Sequence, residues 1–197
     1  MATTASRRAS ATGGMAWRTR DIVVTAIIGV VFGFIFQAWN LLFPVVGGVF
    51  TAFPASGNLV YGMWLMPAIL APLIVRKPGA ALFAEMVAAG LSLFLGSPYG
   101  TDTLLSGLVQ GGAAELVFLL FRYRVWTFSV LALAAAASAT AAWVHDWIIW
   151  YPTNGFDVQL WFWVCAVVSA LVIAAGGSVL LVRSLRQAGA LKGFPAG

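Results

Sequence analysis

The sequence predicts an all-α membrane protein of six transmembrane helices, with both termini on the cytoplasmic side. Three observations carry that reading. Of 197 residues, 61% are hydrophobic and 9% charged, with a mean hydropathy of +0.95. A soluble domain of this size needs more polar surface, whereas lipid accepts apolar side chains on the outside of a bundle. The apolar residues also fall into six runs, and every basic residue lies beside the ends of those runs that topology puts on one side.

The runs occupy about 22–40, 58–75, 79–95, 103–121, 127–145 and 160–182. A 19-residue helix rises about 28 Å, close to the roughly 30 Å hydrocarbon thickness. The second and third are joined by Arg76-Lys77-Pro78, which makes them a tight antiparallel pair, and Pro67 and Pro72 are positioned to bend the second. Residues 1–20 are expected as a flexible basic cytoplasmic segment, 21–186 as the six-helix transmembrane domain and 187–197 as a cytoplasmic tail. Arg18 and Arg20 beside an apolar run resemble a signal peptide. No small-residue cleavage site follows, and five further spans do, so the first helix is expected to be retained.

Charge sets the orientation. Arg7, Arg8, Arg18 and Arg20 precede the first helix; Arg76 and Lys77 follow the second; Arg122 and Arg124 follow the fourth; Arg183, Arg186 and Lys192 follow the sixth. With the amino terminus inside, all eleven are cytoplasmic. The outer loops, 41–57, 96–102 and 146–159, carry Asp102, Asp146 and Asp157 instead. Trp17 and Trp126 mark the inner side, against seven tryptophans outside. Interfacial anchoring accounts for some indoles, but the asymmetry points to an aromatic site at the outer face.

Polar groups within the spans need partners or a use. Glu85 and Glu115 lie toward the inner ends of the third and fourth helices, and Gln110 sits nearer the outside on the fourth. Helix-helix hydrogen bonding is the alternative to ligand recognition for each carboxylate, with Glu115 the favoured recognition residue. The stretch WVHDWIIWYPTNGFD combines Trp143 and Trp147 with His145, Asp146 and Asn154, a mixture suited to stacking and directional bonding of a planar nitrogen heterocycle. His145 is equally readable as a structural histidine, and Asn154-Gly155 is first a turn signal.

Other chemistries find little support. The basic residues flank apolar spans instead of forming a nucleic-acid face. The Gly-Gly pairs lack the lysine of a Walker A loop, and no nucleophile elbow or metal cluster is recognisable. Ser138 and His145, seven residues apart on one helix, are about 10 Å apart along its axis, too far for direct contact. Cys165, the single cysteine, excludes an internal disulfide and reads as apolar packing. No catalytic residue, cofactor or metal is expected, and the protein is not expected to be an enzyme.

The segments WRTRDIVVTAIIGVVFGFIF, RKPGAALFAEMVAAGLSLFLGSPYG and GLVQGGAAELVF, within Trp17 to about Arg186, resemble the YkoE family of substrate-binding S components from energy-coupling-factor (ECF) transporters. The resemblance implies a six-helix S component in the bacterial cell membrane. It implies capture of thiamine or its hydroxymethylpyrimidine precursor outside, and work with a transmembrane T component and two cytoplasmic ATPases. By that analogy the 41–57 loop is a candidate lid. Trp39, Trp64, Tyr99, Trp143 and Trp147 are expected to stack on the pyrimidine, and Gln110, Glu115, His145 and Asn154 to supply polar contacts. The alternatives are an S component for another small heterocycle and a structural subunit without ligand. Several S components carry alanine-x-x-x-alanine on helix one for docking to the T component. Here Ala26 is followed by Val30, and the adjacent Thr25-Gly29-Gly33 ridge offers a smoother surface. Docking and internal packing are the two readings of that ridge.

Overall fold

The long apolar runs have no water-facing side and close on one another as a helical bundle. The computed structural model describes residues 15–49 and 54–197, so residues 1–14 of the expected flexible segment lie outside the described residues. In chain order the elements are α1 (Thr19–Val49), a 3-10 segment (Pro54–Met63), α2 (Met66–Val75), α3 (Ala80–Phe94), α4 (Asp102–Leu120) and α5 (Phe128–Ile149). There follow α6 (Phe156–Ser169), a π-helical stretch (Ala170–Gly176) and α7 (Gly177–Gln187), which run on as one apolar helix. No strand occurs among the described residues. Five stretches are long and apolar enough to cross a membrane, and Ala80–Phe94 is a shorter apolar helix, so the chain is an all-α multi-pass membrane bundle.

The centre is α2. Its sequence MPAILAPLIV is apolar all round, and Pro67 through Val75 are all buried, as such a helix must be. Pro67 enters at the first turn, where its missing N–H costs nothing, and Arg76 ends the helix in the left-handed conformation with its N–H on Pro72 O at 2.8 Å. The second span is therefore composite. Pro54 opens the 3-10 segment and Gly57 and Gly62 lie within it, and Gly62 presses on α6 so closely that a Cβ there would lie 2.5 Å from Ser169 O. The Gly62 N–H donates to Ser169 Oγ at 2.8 Å.

Around α2, α1 packs on α3, α3 on α4 and α4 on α5. Glycine permits the two closest approaches. A Cβ on Gly29 or Gly33 would meet the Cβ of Val87 or Leu91 at 2.6 Å; one on Gly107 or Gly111 would meet the Cβ of Ala89 at 2.7 Å or of Glu85 at 2.8 Å. Thr25 is also buried, its hydroxyl donating to Asp21 O. The Thr25-Gly29-Gly33 ridge is thus taken up inside the bundle against α3, where the docking reading had placed it outside. Ala26 is half-buried at its border, and Ile27, Val31 and Phe34 face outward.

Two further boundaries differ from expectation. The apolar run continues past residue 40 as Leu41-Leu42-Phe43, and α1 follows it to Val49. Most of the expected 41–57 lid is consequently helix or 3-10 segment, and residues 50–53 lie outside the described residues. At the other terminus, residues 188–197 fold back instead of trailing: Arg186 Nε donates to Ala196 O at 2.8 Å, Leu191 and Ala196 are buried, and Arg20 lies over the Phe194 ring.

Candidate functional site

Helix alternation puts the α3–α4 and α5–α6 turns at the end of the bundle opposite Arg76 and Arg122. At that polar end a cavity opens, with about 780 Å³ of space between atoms, its mouth included. Helix α1 contributes Phe36, Asn40 and Phe43; the 3-10 segment Asn58 and Tyr61; α3 Glu85 and Ser92; α4 Asp102, Ser106 and Gln110; and α5 Asp146. Trp64, Tyr99, Trp150 and Tyr151 complete the wall from the connecting turns.

Its apolar surface is aromatic and fixed by edge-to-face contacts. Trp64 packs against Phe43 at 4.9 Å and Tyr61 at 5.3 Å between centroids, and Tyr99 against Trp150 at 5.5 Å. Trp64 Nε1 donates to Asn40 Oδ1 at 3.0 Å, and Asn40 Nδ2 donates to Ser92 Oγ at 3.2 Å. One buried amide therefore locks the indole to α1 and α3.

Its polar surface is acidic: Glu85, Asp102 and Asp146 line it, and none of the lining residues is Lys or Arg. Asp146 Oδ2 accepts from Tyr61 Oη at 2.9 Å, and Gln110 Nε2 donates to Tyr61 Oη at 3.3 Å and to Ser106 Oγ at 2.6 Å. Asp102 Oδ2 accepts from Trp150 Nε1 at 2.9 Å. At the floor, Glu85 Oε2 accepts from the Ala68 N–H at 3.1 Å while Oε1 is buried without a hydrogen-bond partner. Such an oxygen is a buried polar atom that a ligand group can satisfy. At the mouth, burial pushes the Tyr99 and Tyr151 phenols up, with neighbouring Asp146 adding to each, so both stay protonated donors at neutral pH.

Trp64, Tyr99 and Gln110, among the residues the sequence singled out, line this cavity. His145 lies behind it, bridging Asp102 and Asp146. Trp143 and Trp147 pack on each other at 5.2 Å and on Trp163 and Phe156 of α6, away from the cavity lining. Trp39 is likewise absent from the lining, and the Asn154 N–H closes the α5–α6 turn on Tyr151 O. Glu115 is remote from the cavity: its oxygens accept from the N–H groups of Gly79, Ala81 and Leu82 and from Tyr123 Oη, tying α4 to the start of α3. Of the two glutamates, Glu85 and not Glu115 lies at the cavity. The 3-10 segment brings the start of α2 to mid-bundle depth, where Glu85 meets it, and Glu115 is turned toward the α2–α3 loop. Asn40 and Tyr61 were missed; a lone asparagine in the first apolar helix was the signal available.

Residues 20–141 match the family model described as "ABC-type cobalt transport system, permease component". The chain is 31% identical over 182 residues to a Bacillus subtilis (strain 168) protein, YkoE, whose name proposes it as an HMP/thiamine permease; the match covers 92% of this chain and 90% of that one. A crystal structure of an S component of an ECF transporter superposes with a TM-score of 0.86 at 30% identity, over 91% of both chains. Fold and cavity together define a substrate-binding S component, a membrane subunit of the ECF class of transporters. Within that class the chain belongs to the YkoE family.

Proposed function

We propose that the protein captures thiamine or its hydroxymethylpyrimidine precursor from outside the cell, for ATP-driven uptake by a T component and two cytoplasmic ATPases. One observation supports this most directly: an aromatic cavity with three acidic side chains and no basic lining residue. Trp64, Tyr99 and Trp150 offer faces and edges to a pyrimidine; Glu85 Oε1 offers an acceptor to an exocyclic amine; Asp102 and Asp146 offer negative charge to a thiazolium. Binding is non-covalent, without cofactor or catalysis. The name that the B. subtilis relative carries supports the same ligand class. Metal cargo, which the family model's description raises, is less suited: among the described residues no group of three or more His, Cys, Asp or Glu could hold a metal ion.

In the proposed topology both termini are cytoplasmic and the cavity opens outward, as the positive-inside rule favours. The T component would meet α1 on its outward strip near Ala26 and Ile27, since Gly29 and Gly33 face α3. Titration of the purified subunit with thiamine and with hydroxymethylpyrimidine, without ATP and up to about 100 μM, tests the ligand assignment. Saturable binding to either is expected; none to both, with a metabolite screen returning another heterocycle, would replace the ligand and keep the class.

A further inference from the structure

Both ring nitrogens of His145 face carboxylates: Nδ1 lies 2.9 Å from Asp146 Oδ1 and Nε2 3.0 Å from Asp102 Oδ1. A neutral imidazole has one N–H and can donate to only one of them, leaving a lone pair against a carboxylate oxygen on the other side. Both contacts are hydrogen bonds only when the cluster holds one extra proton. It then carries a net charge of −1 where two free carboxylates and a neutral ring would carry −2. The remaining oxygens are occupied, by Tyr61 Oη on Asp146 and Trp150 Nε1 on Asp102. Both carboxylates line the cavity, while the His145 side chain is only 5% exposed behind them.

We propose that the His145–Asp102–Asp146 cluster is a proton site linked to the cavity, and that a cationic ligand releases its proton on binding. The inference rests on the reading of the cavity as a site for such a ligand. Charge balances: the protonated cluster and the incoming cation exchange one positive charge for another, and the proton leaves to solvent. The other titratable groups of the cavity surround the cluster from several elements. Asp102 comes from α4, Asp146 from α5, Tyr61 from the 3-10 segment, Tyr99 and Tyr151 from the two turns, and Glu85 lies on the floor. With no basic residue in the lining, removal of the proton strengthens attraction for a cation directly.

Affinity for thiamine, whose thiazolium charge is permanent, should rise with pH by up to about tenfold per pH unit. The experiment is calorimetric titration of the purified full chain with thiamine between about pH 6 and pH 8, in two buffers of different ionisation enthalpy. Wild type should release up to one proton per ligand. Asp102→Asn lets a neutral His145 donate to Asp146 and accept from the new amide, so it should bind more weakly, for want of one cavity carboxylate, and with little proton release and a flat pH profile. His145→Gln, if it folds, should do the same. Saturable binding by wild type with no proton release, or release undiminished in Asp102→Asn, would overturn the linkage. Absence of binding at every pH would instead sink the reading of the cavity on which it rests.

Discussion

Glu85 and Ala68 are joined across the middle of the bundle by a 3.1 Å hydrogen bond from the Ala68 N–H, and this bond leaves Glu85 Oε1 as the acceptor at the cavity floor. One side chain thus satisfies the start of a buried helix and keeps a second oxygen unpaired beside the cavity. Glu85→Gln retains an oxygen for Ala68 but turns an amide NH₂ toward the cavity. Affinity for an amine-bearing ligand should fall tenfold or more, about 1.4 kcal/mol, with little loss of thermal stability. Glu85→Leu should also lose stability, by about 1–3 kcal/mol, because the Ala68 N–H is stranded. Ligand titration beside thermal unfolding in detergent separates the two effects.

Glu115 should behave in the opposite way. Its carboxylate serves three backbone N–H groups and Tyr123 Oη, whose titration burial and Glu115 push well above the usual phenol range. Glu115→Ala should lower stability by about 2 kcal/mol or more and leave the affinity of the folded fraction unchanged. An affinity loss at full stability would return Glu115 to the binding site.

Gly29→Leu should fail to fold. The new side chain would enter the space of Val87 Cβ, and overpacking of this kind costs about 1–3 kcal/mol or more. Ile27→Trp, on the outward strip, should fold and bind ligand. Recovery of monodisperse protein in detergent checks both; normal recovery of Gly29→Leu would mean that α1 and α3 do not approach this closely.

Orientation is open to labelling. In a Cys165→Ser background, cysteines at the exposed Thr101 and Thr153 should react with an impermeant thiol reagent in intact cells, and those at Thr19 and Gln187 should not. The reversed pattern would invert the topology.

Much of this was legible because it depends on patterns that lipid enforces locally. Apolar runs located the helices, and charge bias separated the basic end from the aromatic, acidic end that holds the cavity. What failed depended on which neighbour a residue meets. The Thr25-Gly29-Gly33 ridge was readable as a close-packing surface, but α3 as its partner was not. Glu85 and Glu115 look alike by depth, and only the composite second span decides which one reaches the cavity. Trp143 and Trp147 share the helix of His145 yet face α6, because a helix presents neighbouring residues in different directions. Asn40 and Tyr61 are set 21 residues apart, on α1 and the 3-10 segment, and Trp64 and Asp146 bind them into one wall only after folding.

The most direct test of the account occupies the cavity with a side chain. Ser106 lines it on α4 beside Gln110, and Ser106→Trp would fill much of the ligand's space. Thiamine titration of wild type and Ser106→Trp, followed by intrinsic tryptophan fluorescence and calorimetry, gives the comparison. The account predicts one saturable site in wild type and at least a hundredfold loss, about 2.7 kcal/mol, in a variant that still folds. Equal affinity in the two proteins would place the ligand elsewhere and contradict the assignment of this cavity.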